Sequence, residues 1–139
     1  MTYEEKVEWL SGYRYKLLEI NDLIDRIVRY TARAEKMTAN LSAAGGGGNG
    51  EDNLQVCVAA ICELEFKQSR AMAASMRQLL DIEDAIEKLP KEMWRVILRK
   101  KYIDGISLNK MIDELPELKY CNKHIKREHK KAIDALVVG

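Results

Sequence analysis

The chain has 139 residues, with 23 Lys+Arg against 22 Asp+Glu, eight Gly and two Pro, a size that suits one domain or a small domain with an extension and excludes a large enzyme. Hydrophobic residues make up 47% and charged residues 32%, which excludes a collagenous or wholly disordered chain, and no apolar run approaches the roughly 18 residues needed to cross a bilayer. Five of the glycines fall between Gly45 and Gly50; the few breakers left elsewhere cannot punctuate a many-stranded sheet, so the expectation is an all-α fold.

The opening Met-Thr-Tyr-Glu-Glu-Lys is acidic where an export signal is basic, so a reducing cytoplasm and no membrane partner are expected. From Tyr13 the positions Leu17, Ile20, Ile24, Ile27, Thr31, Ala34, Thr38 and Leu41 step by four and three, the heptad seam of a coiled coil. Val7 and Leu10 extend it backward. The stretch Ala43 to Gly50 breaks this helix, because each Gly costs about 1 kcal/mol relative to Ala. It lacks the strand before it and the Lys-Ser or Lys-Thr after it that a phosphate-binding loop requires, which leaves a flexible hinge.

A second seam follows through Leu54, Val58, Ile61, Glu65, Gln68, Met72, Ser75, Leu79, Ile82, Ile86 and Leu89. Two helices of similar length joined by a short break predict an antiparallel hairpin over residues 1–88, with Leu17, Ile20, Ile24 and Ile27 against Met72, Ser75 and Leu79, and 41 meeting 54. The alternative is an exchange of helices between two chains, which a long flexible loop permits. Cys57, Cys62 and Cys121 are an odd number without paired spacing, and read as free thiols.

Residues 89–139 carry a different pattern. Pro90 is expected at the first position of a helix that Gly105 closes, Ser107 caps a short helix over Leu108 to Leu115, and Pro116 stops it. The last helix, from about Asn122 to Val137, turns Ile125, Ala132, Ile133 and Leu136 inward and Asn122, Lys123, Lys126, Arg127 and Lys130 outward. Charge divides the same way: residues 1–89 hold 11 Lys+Arg against 15 Asp+Glu, net −4, and residues 90–139 hold 12 against 7, net +5. Between 119 and 131 six cations face one acid, Glu128. Such a cluster attracts polyanions, although a solvated helix face is the commoner meaning of a charge run by itself.

Leu89-Pro90, Arg95-Val96, Leu98, Tyr102, Gly105, Ser107 and Leu115, followed by the basic helix ending in Ala132-Ile133 and Leu136, resemble region 4 of sigma-70-type factors over about residues 88–137. The order of parts, a long helix, a Gly-rich break, a second long helix and this end, resembles the phage and prophage transcription regulators of the RinA/ArpU kind. That resemblance implies a three-helix helix-turn-helix domain at 89–139, double-stranded DNA and RNA polymerase as partners, and a bacterial or phage-infected cell as the setting. The acidic hairpin offers a homodimer contact; nothing in it suits promoter melting. Two departures touch the motif: Ile112 stands where a small residue is usual, and Pro116 to Tyr120 makes a longer turn. Cys121 replaces the usual capping Ser, so Asn122 is the better cap.

The DNA-binding candidates are Lys119, Asn122, Lys123, Lys126, Arg127, Lys130 and Lys131. A helix fits the major groove, its N-terminal side chains reach base edges, and flanking cations neutralise phosphates. Asn122, Lys123, Lys126 and Arg127 suit the bases; Lys119, Lys130 and Lys131 suit the backbone. A structural or assembly protein of a phage, using the same helices for protein contacts, is the alternative function. His124 and His129 are five apart, not four, and Cys121, His124 and Glu128 fall short of a structural zinc set, so neither metal nor cofactor is expected. His129 is expected at the edge of the small core or on a phosphate. No nucleophile has a base beside it, and catalysis is not expected.

Overall fold

A computed structural model describes residues 1–44, 48–114 and 122–138, and of residues 42–44, 48, 49, 114 and 122 the backbone alone. The described residues are helical without strands: α1 Tyr3–Ala44, α2 Gly48–Glu87, α3 Glu92–Leu98, a π-helical segment Arg99–Ile103, α4 Leu108–Glu114 and α5 Asn122–Ala135. No helix among them is long and apolar enough to cross a membrane. The contacts group into two compact units, one of Met1–Lys16 with Ser75–Gly139 and one of Leu17–Ala74. The pattern changes at residue 89, but packing does not divide there: both ends of the α1–α2 region join the C-terminal segment.

In the first unit, α1 opens with a reciprocal cap. The Glu5 N–H donates to Thr2 Oγ1 at 3.2 Å and the Thr2 N–H to Glu5 Oε2 at 3.3 Å, which satisfies donors that the first turn leaves open. Leu10 of α1, Ile82, Ala85 and Ile86 of α2, Leu89, Leu98, Tyr102, and Ala132, Ile133 and Leu136 form one buried cluster. Ile97, Met111 and Ile125 form a second, joining α3, α4 and α5. Pro90 does not open α3; Lys91 is the extended N-cap residue, with φ −103° and ψ 128°, and the helix begins at Glu92. The Arg95 guanidinium closes the corner by donating to the Leu89 carbonyl at 2.6 Å.

Gly105 ends this arm, as expected, with φ +77°. The π-helical turn widens the ladder, with Asp104 N–H donating to Arg99 O and Ile106 N–H to Lys100 O. Arg14 of α1 closes over it, donating to Ile103 O at 3.3 Å. A Cβ on Gly105 would stand 2.6 Å from that guanidinium. Ser107 caps α4 as expected, its Oγ accepting from Lys110 N–H at 3.3 Å; Leu115 and Pro116 lie outside the described residues. α5 ends at Ala135, two residues before the expected Val137.

In the second unit α1 and α2 touch, with the Cys57 thiol donating to Tyr30 O at 3.4 Å. The expected meeting of 41 with 54 is shifted by one turn: Leu41 lies against Gly50, where an added Cβ would be 2.9 Å from Leu41 Cδ2. α2 takes in Gly48 and Gly50, glycines expected to lie in the break, and at Gly50 that approach leaves no room for a Cβ. Three positions of each seam are also exchanged. Ile24, Thr31 and Thr38 are exposed and Leu23, Tyr30 and Met37 turn inward; on α2, Val58, Glu65 and Met72 are exposed while Cys57, Leu64 and Ala71 take their places. The steps of three and four are kept in the opposite order, because that choice withdraws Leu23, Tyr30, Met37 and Leu64 from water and leaves Thr31, Thr38 and Glu65 in it.

His129 lies in the first unit's core at 6% exposure, its Nε2 2.8 Å from the Tyr102 hydroxyl. Burial, with Lys101 adding to it, pushes the imidazole down to about 4. The folded state thus resists a proton that the unfolded chain takes up near its ordinary value of 6.5, so stability is full above that value and falls as pH drops toward 4. Thermal melts at pH 7 and pH 5 should show a loss of about 2 kcal/mol, and His129→Gln should flatten that dependence. Gly105→Ala should cost about 1 to 3 kcal/mol, since the backbone there is left-handed and Arg14 must move; urea melts would measure it.

Candidate nucleic-acid interface

α5 divides along its length into two faces. Ile125, Glu128, His129, Ala132 and Ile133 are buried; Lys123, Lys126, Arg127, Lys130 and Lys131 are exposed. The division follows helical spacing, since residues three and four apart share a face, and it is held by α5 packing on α3 and on α4. Of the seven residues expected to meet DNA, the structure therefore brings five onto one exposed face. Asn122 begins α5, its side chain outside the description, and Lys119 lies outside the described residues, as do Tyr120 and Cys121.

Glu128 is the residue that gives this face its character. It is 8% exposed and its Oε2 accepts the Trp94 indole N–H at 2.7 Å. That hydrogen bond holds the carboxyl below its ordinary value; burial opposes the shift, and Lys131, Lys91 and His124 support it. Lys91 stands over the Trp94 ring, 4.9 Å from its centroid, which places a further cation beside the pair. The single acid of the basic stretch is thus drawn inward, to α3.

The consequence differs from one cation to the next. Lys131 Nζ is 3.6 Å from Glu128 Oε1, and His124 Nε2 4.0 Å from the same oxygen. Elsewhere in this unit Lys88 pairs with Asp84, Arg99 with Glu87 and Lys100 with Asp104. Among the described residues Lys123, Lys126, Arg127 and Lys130 have no carboxylate within ion-pair distance. They are the uncompensated charge, while Lys131 is partly spent on its own helix.

His129 is neither at a phosphate nor among ligands; it packs on Tyr102 with ring centroids 5.7 Å apart. Burial, with Tyr3 adding to it, raises the Tyr102 hydroxyl above its ordinary range. With the imidazole proton on Nδ1, the hydroxyl donates to Nε2, and both polar groups are satisfied inside the core. Among the described residues no three His, Cys, Asp or Glu side chains converge as metal ligands.

Sequence reasoning missed two features. Trp94 carries the hydrogen bond that fixes Glu128, and nothing in its spacing announces this. Lys110 is exposed on α4, whose Met111 packs in the cluster with Ile125 of α5; its place one turn into a Ser-capped helix was the available signal. No family model, no curated protein and no solved structure matches the chain.

Proposed function

We propose that the chain is a phage- or prophage-type DNA-binding transcription regulator, in which α4 and α5 act as a sigma-70 region 4-like helix-turn-helix and α1 with α2 as a helical hairpin beside it. The observation that carries this reading is the row Lys123, Lys126, Arg127 and Lys130, exposed on one face of α5 while Glu128 turns inward to Trp94. A rigid helix with cations along one side and an anchored opposite side meets the two demands of groove reading: neutralising phosphates and holding side chains at fixed distances from base edges.

Roles follow from position on the helix. Lys123, Lys126 and Arg127, with Asn122, belong to the N-terminal half that enters the major groove, where Arg can bridge both acceptors of guanine. Lys130, with Lys119 and Lys110, holds the backbone. Lys131, paired to Glu128, is the weakest contributor of the set. RNA polymerase is a partner on the strength of the sequence resemblance.

Fluorescence anisotropy on duplexes tests the reading. With about four cations on phosphates, log affinity should fall against log salt with a slope near −4; absence of duplex binding at low salt would turn the reading toward a phage assembly protein. On a site selected from random duplexes, Arg127→Ala should cost about 1 to 3 kcal/mol and little on scrambled DNA. Lys130→Ala should weaken both about equally, and Lys131→Ala should weaken each less than Lys130→Ala does. Circular dichroism of each variant separates lost contact from lost helix.

A further inference from the structure

The second unit, residues 17–74, buries little. Among its described residues only Ile20 and Leu64 fall among the buried apolar side chains, whereas Ile24, Val28, Val56, Val58, Phe66 and Met72 stand exposed. Two helices alone withdraw too little apolar surface to offset the ordering of their backbone, at about 1 to 2 kcal/mol per residue. This pair has a surface still to cover.

One face of it is shaped for that. Tyr30, Arg33 and Met37 of α1 with Asn53, Val56, Cys57 and Ala60 of α2 line a groove of about 340 Å³. Arg26, Arg29, Tyr30 and Arg33 continue it along α1. Among the described residues none of the three arginines has a carboxylate within ion-pair distance; Arg29 donates to the Asp25 carbonyl and Arg33 stands over the Tyr30 ring. Like charges three and four apart on a helix repel. The register gives them no carboxylate on α2 either: Tyr30 meets Cys57 and Leu41 meets Gly50, which sets 26–33 level with the uncharged stretch Gln55–Cys62. The acids of α2 flank that stretch, with Asp52 at one end and Glu63 at the other, and both share a helical face with Val56 and Ala60.

We infer that the groove of Tyr30, Met37, Val56 and Ala60 is a self-association face, on which a second copy of this chain seats its α2 against α1 to complete a four-helix bundle. A two-fold axis parallel to the helices keeps each level and places α1 over the α2 of the other copy. Arg26 then falls beside Glu63 of that copy, and Arg33 beside Asp52. The apolar side chains meet between these two charge pairs, each formed twice. Glu63 already pairs with Lys67 at 3.6 Å, but that contact is exposed on both sides and yields to a better-covered partner. The inference stands apart from DNA binding and needs none of the residues of α5.

Sedimentation velocity of the full chain, from low to high micromolar concentration, tests it. A species of twice the 15.9 kDa chain mass is expected; a monomer across the whole range overturns the proposal. Val56→Glu should weaken association roughly tenfold or more, as a charge placed in an apolar contact does, although Val56 is 70% exposed within one copy. Since that variant bears on folding as well as contact, the charge pairs give a second reading: Arg33→Glu and Asp52→Arg should each dissociate the dimer, and the two together should restore it. A dimer untouched by Val56→Glu, or single charge variants that the double variant does not rescue, would place the contact elsewhere and overturn the proposal.

Discussion

Two ionisable side chains lie on the buried face of α5, and the C-terminal part of the molecule depends on how each is satisfied. Glu128 accepts from Trp94 of α3 at 2.7 Å, and His129, one residue on, meets the hydroxyl of Tyr102 at 2.8 Å. A buried polar group without a partner costs about 1 to 3 kcal/mol, more when charged. The same contacts that avoid this cost set the rotation of α5 about its own axis, because an aromatic donor meets a partner only from one direction. Turn α5 by one residue and both pairs are lost together. The outward face is set by the same two bonds, which is why, among the described residues, four cations line up in water without a carboxylate within ion-pair distance.

The all-helical class was legible because glycine and proline are so unevenly placed, and the ends at Gly105 and Ser107 because glycine suits a left-handed backbone and serine is among the few residues that cap a helix start. The seams of α1 and α2 were legible except at three positions each, Ile24, Thr31 and Thr38 on α1 and Val58, Glu65 and Met72 on α2. Ile20, Ile27, Ala34 and Leu41, seven apart, were read correctly, yet between them a heptad pattern leaves two candidates next to each other in sequence. Ile24 looks as apolar as Leu23, and Val58 more so than Cys57. The sum over the seam decides, since the order of steps that hides Leu23 also hides Tyr30, Met37 and Leu64. A local reading that fixes the order from Tyr13 and Leu17 carries its choice along the helix.

The candidate interface was legible in its charges and not in the burial of Glu128. Spacing put Lys123, Lys126, Arg127 and Lys130 on one face, since helical geometry alone fixes that. The pairing of Lys131 was open to the same rule, since Glu128 is three residues from Lys131 and only two from Lys126; what spacing does not give is the burial of Glu128 against Trp94, which turns it away from the other cations. His129 was harder still. Its fate rests on Tyr102, 27 residues away, and no periodicity links the two.

The π-helical turn at Arg99–Ile103 adds a constraint that neither seam nor charge reveals. Adjacent residues Ile97 and Leu98 are both fully buried, yet they serve different clusters, Ile97 with Met111 and Ile125, Leu98 with Tyr102 and Ile133. An α-helix separates neighbours by about 100°, so α3 sits between two cores and has little freedom to roll. Widening the turn after Leu98 changes the phase of the residues beyond it, and it is in this segment that Tyr102 is aimed at His129. α5 is divided likewise, with Ile125 in one cluster and Ala132 and Ile133 in the other, joined there by Leu136 just beyond the helix. It is therefore pinned near both ends, by side chains that cannot shift independently. A helix held at one end could pivot and smear the positions of its cations; held at two, it presents them at fixed spacing, the property that reading a rigid duplex demands.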